Sequence, residues 1–291
     1  MSTPASLADT RVAILGLGLM GGSLALALRP HCLSLSATDT DPETLSLAAQ
    51  AHIADQISAD AAEILPDADL VILAAPVKAI LGIIEQLPRL HPGSPVVMDL
   101  GSTKAEICQA FQDLPARFDP LGGHPMCGKE TSGLGQAEPG VFRDAPFVLT
   151  PLERTTTQAR SLGAQLVGAL GARLLWLDPA THDRWTAATS HAPYLLSIAL
   201  ALATPAETAP LIGPGFLSTS RLAGSSTKMM ADILETNRGN VLAALSLLKA
   251  ELDRLESSVR QADHTALVAQ LTRGRQARNQ LLETLSESYS R

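Results

Sequence analysis

Residues 12–28 read VAILGLGLMGGSLALAL. An apolar run, 12–15, empties into a glycine turn, and a helix follows near 21–28. Gly16, Gly18 and Gly21 form G-x-G-x-x-G. In that pattern the first glycine makes the turn, the second lets the backbone approach a pyrophosphate, and the third lets the helix pack on the strand. The helix N-terminus offers unpaired N–H groups to phosphates, with Leu19 and Met20 beside them. Asp39 follows Gly21 by 18 residues, at the end of a second apolar run. A carboxylate there meets the ribose hydroxyls of an adenosine. A ligand-free strand–helix turn would account for the glycines but not for the acid.

Working outward, strands are expected near 11–16, 33–39, 69–75, 95–100 and 119–123, with helices near 21–28, 42–52, 77–88 and 103–113. This alternation predicts a Rossmann-type α/β fold with a parallel, doubly wound sheet. Two more strands, 146–150 and 173–177, flank a helix near 155–169. After Asp178 the strand signal stops. A long helix is expected over 179–203, then a Pro/Gly-rich stretch, then helices within 226–235 and over 265–287. Between these last two, Val241, Leu245, Leu248, Leu252, Leu255 and Val259 repeat at spacings of 4, 3, 4, 3 and 4. That seam calls for close helix–helix packing, in an internal core or across a dimer. The expected division is a dinucleotide-binding domain over 1–178 and an all-α domain over 179–291.

The chain has 291 residues, 46% hydrophobic and 18% charged, with a net charge of −7. No lysine or arginine cluster offers a basic face to nucleic acid. The three cysteines, Cys32, Cys108 and Cys127, lack metal spacing and fit free thiols in a reducing compartment. The N-terminal MSTPASLADT has no apolar core of a secretory signal, and the apolar stretch 195–203 is too short to span a bilayer. A cytoplasmic location is expected, with no metal and no membrane partner.

Ligands of doubly wound sheets bind outside the carboxyl ends of the strands. Ala75, Pro76 and Val77 close one strand and either shape a loop beside the nicotinamide ribose or merely end the strand. Ser102, in the DLGSTK of 99–104, suits a helix cap or a substrate contact. His124 stands in GGHPMCG, 122–128, between glycines that would let a planar substrate approach. An imidazole there can exchange a proton near neutral pH. Glu130 points either into the same cleft or into water. On the long helix, His182-Asp183 and Ser190-His191 are eight residues apart and can share a face. His191 is a candidate for substrate contact or for helix packing. Arg221, in a polar loop, has the fork geometry for a carboxylate.

These motifs together resemble the prephenate/arogenate dehydrogenases, oxidative decarboxylases of tyrosine biosynthesis. GLGLMGGSLA, GSTK at 101–104, GGHPMCG at 122–128, HD at 182–183, SHAP at 190–193 and TSR at 219–221 occur in that family's order and span nearly the whole chain. GGHPMCG is the most specific of them. The resemblance implies NAD-dependent conversion of prephenate to 4-hydroxyphenylpyruvate, with arogenate as the alternative substrate, and a homodimer through the helical domain. It implies that His124 accepts the ring-hydroxyl proton, that Ser102 bonds both that histidine and the hydroxyl, and that Arg221 holds the ring carboxylate. It also implies that Asp39 favours NAD over NADP by repelling a 2′-phosphate. Many prephenate-using members carry a second histidine where this chain has Tyr194, which leaves the side-chain end of the substrate pocket open. A carboxylate at Glu130 would favour the ammonium of arogenate. The β-hydroxyacid dehydrogenases and pyrroline carboxylate reductases share the glycine-rich start but do not account for GGHPMCG. A non-catalytic NAD(H) sensor would leave His124 and Arg221 idle.

Overall fold

The structure is a computed structural model and describes residues 6–289. Eight strands form one sheet: β1 (Arg11–Leu15), β2 (Ser34–Thr38), β3 (Gln56–Ser58), β4 (Leu70–Leu73), β5 (Val96–Asp99), β6 (Asp119–Pro125), β7 (Pro146–Pro151) and β8 (Arg173–Trp176). Their spatial order is β3-β2-β1-β4-β5-β6-β7-β8. Strand order reverses between β1 and β4, and the glycine turn after β1 opens at that crevice. The helices woven through the sheet are α1 (Leu19–Leu28), α2 (Pro42–Gln50), α3 (Ala61–Ile64), α4 (Val77–Leu90), α5 (Ala105–Gln112) and α6 (Thr157–Ala169).

The period-two alternation of the strands builds two cores. Ile14, Ile72 and Met98 point to one face, where they meet Leu24 and Leu28 of α1 and Leu162 and Leu166 of α6. Ala13, Val71 and Val97 point to the other, against Ile80 and Ile84 of α4 and Ile107 and Phe111 of α5. A strand covered on both faces reads as a continuous apolar run, which is why β1, β4 and β5 were legible.

The sheet is not wholly parallel. β7 runs antiparallel to β6, with His124 opposite Val148. A parallel connection needs a helical crossover. The segment between β6 and β7 holds only two short 3₁₀ turns, Leu134–Gln136 and Pro139–Phe142, and doubles back. β3 and α3 were absent from the sequence reading. With three and four residues they are too short to show a period.

Past β8 the chain is helical: α7 (Pro179–Thr186), α8 (Ala192–Ala203), α9 (Pro214–Ser220), α10 (Thr227–Thr236), α11 (Arg238–Arg260) and α12 (His264–Tyr289). The expected single helix over 179–203 is interrupted by a π turn, Ala187–His191. Such widened turns insert an extra residue and often mark functional sites. α9 starts at the end of the Pro/Gly-rich stretch, with Pro214 at its first turn, and runs through the segment expected to be a polar loop before Arg221. By contact density the chain divides between Val241 and Leu242, whereas the change from strands to helices falls at Asp178. No helix among the described residues is long and apolar enough to cross a membrane.

Candidate active site

The glycine turn is locked by close approach. A Cβ on Gly16, whose φ is +99°, would stand 2.5 Å from the Ala74 carbonyl oxygen, and one on Gly21 would stand 1.9 Å from the Gly16 oxygen. Gly18 differs, because nothing lies within 4 Å of where its Cβ would be. It is also the N-cap of α1, with no side-chain cap on the first N–H groups. An open, uncapped helix start suits a pyrophosphate. Asp39 accepts hydrogen bonds from the backbone N–H of Leu17 (2.6 Å) and of Asp41 (2.9 Å), so its carboxylate is held at the lip of the glycine loop. The residues present therefore fit a dinucleotide.

Gly18, Leu19 and Met20 line one side of a cavity of about 350 Å³, and Ala75, Pro76 and Val77 line another part of its wall. Pro76 caps α4, so these residues end β4 and shape the cavity at once. Ser102, His124 and Glu130 line the same cavity. Ser102 does not cap α5, whose N-cap is Lys104. The cap comes from 79 residues away: Asp183 Oδ1 accepts the N–H of Lys104 (2.7 Å), and Asp183 Oδ2 accepts that of Ala105 (2.8 Å).

The glycines before His124 do not serve substrate access, as the sequence suggested. A Cβ on Gly122 would meet Thr150 Oγ1 at 1.9 Å, and one on Gly123 would meet the Asp99 carbonyl oxygen at 2.6 Å. They let β6 pack between its neighbours, and that packing brings His124 to the cavity wall. Directly beneath, Lys104 and Asp99 form an ion pair with neither side chain exposed. Lys104 Nζ also donates to the Gly123 carbonyl (2.7 Å), while Asp99 accepts the N–H of Gly101 (2.7 Å) and of Gly123 (3.1 Å).

His124 Nδ1 lies 2.8 Å from His182 Nε2, and His182 Nδ1 lies 2.8 Å from Asp183 Oδ1. All three residues are buried. Burial, with the nearby His182 and Lys104, holds the His124 imidazole well below its ordinary range, so it stays neutral. Burial lowers His182 too, against the upward pull of its bond to Asp183. His182 and Asp183 were noticed in the sequence only as a pair on a helix. The bond from His182 to His124 spans 58 residues and has no local signal.

At the far end, Glu130 forms an ion pair with Arg221. The guanidinium from the helical region is thus tied to a residue of the cavity wall, while Arg221 itself is not among the residues that line the cavity. His191 lies elsewhere. It is buried, not on the cavity wall, and its Nδ1 is 3.3 Å from Asn237 Nδ2. Burial brings its pKa down to about 4. Tyr194 is also buried, in a small apolar cluster with Met230 and Ile233. Ile233 lines the cavity, and Tyr194 stands behind it.

The chain matches two family models: the prephenate dehydrogenase nucleotide-binding domain over residues 24–176, and the prephenate dehydrogenase dimerization domain over 178–273. It is 31% identical to a prephenate dehydrogenase of Bacillus subtilis over 264 residues, covering 87% of this chain and 71% of the relative. It is 28% identical to a cyclohexadienyl dehydrogenase of Zymomonas mobilis, covering 92% and 94%. A crystal structure of prephenate dehydrogenase from Aquifex aeolicus, in complex with hydroxyphenyl propionate and NAD+, superposes with a TM-score of 0.86 at 27% identity, covering 95% of this chain and all of that one.

Proposed function

Because the chain belongs to the prephenate dehydrogenase family, we propose that its cavity carries out the NAD-dependent oxidative decarboxylation of prephenate to 4-hydroxyphenylpyruvate. The observation that carries this reading is one cavity lined by a neutral, buried imidazole and an open dinucleotide cradle, with a carboxylate on its wall, Glu130, that pairs with the Arg221 guanidinium. Bound NAD supplies the acceptor for the hydride that leaves the ring carbon bearing the hydroxyl. Gly16, Gly18 and Gly21 hold its pyrophosphate at the start of α1, and Asp39 meets the adenosine ribose. Ala75, Pro76 and Val77 lie along the nicotinamide end.

His124 accepts the hydroxyl proton as the carbonyl forms, and Ser102 bonds that hydroxyl from the same wall. Arg221 holds the ring carboxylate, for which it must exchange Glu130. The carboxylate leaves as carbon dioxide, and the ring becomes aromatic. Tyr194 supports the pocket from behind its wall, through Ile233. The helical region pairs two copies of the chain in a homodimer, and we place the functional boundary at 178, between the dinucleotide-binding half and the helical half. A cytoplasmic setting suits the three free cysteines.

The test is NADH formation and carbon dioxide release with prephenate and with arogenate, each with NAD and NADP. Turnover of prephenate with NAD is expected. Turnover of arogenate alone moves the substrate assignment. Cofactor binding without reduction by either substrate refutes the catalytic reading.

A further inference from the structure

With both rings neutral, the chain of groups behind His124 has one consistent arrangement of protons. The Asp183 carboxylate already accepts two backbone N–H groups, and it can only accept from His182 Nδ1. His182 Nδ1 therefore carries the proton of that neutral ring, and its Nε2 is bare. A bare Nε2 can bond His124 Nδ1 only if His124 Nδ1 carries a proton. His124 Nε2 is then left bare, on the one ring nitrogen that has no partner among the described residues. That nitrogen is the one a base must present.

We propose that His182 and Asp183 are positioning residues that lock His124 as the Nδ1–H tautomer and take up, through His182, the proton that the substrate lends during turnover. This rests on the reading of His124 as the base. The substrate O–H bond breaks and its proton goes to His124 Nε2, while the C–H electron pair leaves as hydride to bound NAD and the carbonyl forms. The proton on His124 Nδ1 passes to His182 Nε2, and His182 Nδ1–H stays bonded to Asp183. When the bond to the carboxylate breaks, its electron pair enters the ring. The carbonyl becomes a phenol oxygen, which recovers its proton by the reverse path. No proton is gained or lost by the protein over one cycle.

The surrounding charges favour this placement. A cation on His124 would sit beside the Lys104 ammonium, which bonds the preceding residue and is itself paired with Asp99 on β5. A cation on His182 is set directly against the Asp183 carboxylate within α7. His191, in the π turn, is neutral at physiological pH and adds no charge. The arrangement parallels the carboxylate–imidazole pairs of acyl-transfer triads, in which the acid fixes the tautomer.

Nitrogen NMR of ¹⁵N-histidine-labelled protein at neutral pH reads the tautomers directly, with His124→Asn and His182→Gln assigning the signals. Both His124 and His182 are expected as Nδ1–H in the wild type. In Asp183→Asn the amide oxygen can take the Oδ1 place and keep the bonds from Lys104 and His182, so both tautomers should persist. The charge that would balance a cation on His182 is gone in that variant, so kcat should fall by about tenfold or more. In His182→Gln the amide oxygen can accept from His124 Nδ1–H but cannot take its proton. The tautomer of His124 should persist there, while kcat falls about tenfold or more and KM changes by less than about twofold.

An Nε2–H tautomer of His124 in the wild type overturns the proposal. So does an unchanged kcat in His182→Gln. Should Asp183→Asn fail to fold, because Asp183 also caps α5, the wild-type spectrum and His182→Gln decide alone. A wild-type protein with the expected tautomers but no turnover of either substrate would sink the catalytic reading and leave the locked tautomer standing.

Discussion

Burial, a second imidazole and a lysine ammonium nearby keep His124 neutral, as its proposed role as the base requires. Its folded pKa lies below the ordinary 6.5, so protonation is deferred to lower pH. The acid limb of kcat/KM should therefore fall well below pH 6.5; a midpoint at or above 6.5 would show that His124 is not the group titrating. His124→Asn should lower kcat by about 10²–10⁴ with little change in KM, measured by NADH formation. Arg221 is half exposed and paired with Glu130. Arg221→Ala removes a charged hydrogen bond, so KM for prephenate should rise about tenfold or more, with NAD affinity unchanged by fluorescence titration. A loss of NAD affinity instead would move Arg221 to the cofactor site. At this scale the sequence marked His124 by its glycine setting. The glycines turned out to serve the close packing of β6, so the signal was useful for a reason other than the one given.

Among the elements, the N-terminus of α5 is the joint of the site. The turn before it, 99–104, supplies Asp99 and Lys104, which pair beneath Gly123, while Asp183 of α7 caps the helix. A buried ion pair is costly to break, because the remaining partner is left as an uncompensated charge. Lys104→Met should therefore destabilise the fold by about 3–5 kcal/mol, read by urea denaturation. A change within 1 kcal/mol, by the same order-of-magnitude reasoning, would mean that Asp99 is accommodated as a neutral acid. The order of strands and helices around this joint was legible, since amphipathic and fully buried runs have local periods. β3, α3 and α9 were not, being three, four and seven residues long. The antiparallel turn of β7 escaped too, because strand direction depends on the path of the connection and not on the pattern of the strand.

In the whole molecule, α11 and α12 leave an apolar row open. Leu252 is 46% exposed and Val259 64%, on a seam whose spacing calls for a partner helix. Single scattered apolar residues are ordinary on a surface, but a repeating row invites association. The pair Leu252→Glu and Val259→Glu should convert a dimer into a monomer in sedimentation velocity. A dimer that survives both charges would place the interface elsewhere.

The sequence by itself determined the doubly wound fold, the dinucleotide turn and the candidate base, because glycine turns, strand periods and a marked strand end are written in neighbouring residues. Only the tertiary structure decided what stands behind that base. His182 reaches His124 across 58 residues, and Asp183 caps a helix 78 and 79 residues before it. Hydrogen bonds between side chains so far apart in the chain exist only once the sheet and the helices have packed, and no local pattern foretells them.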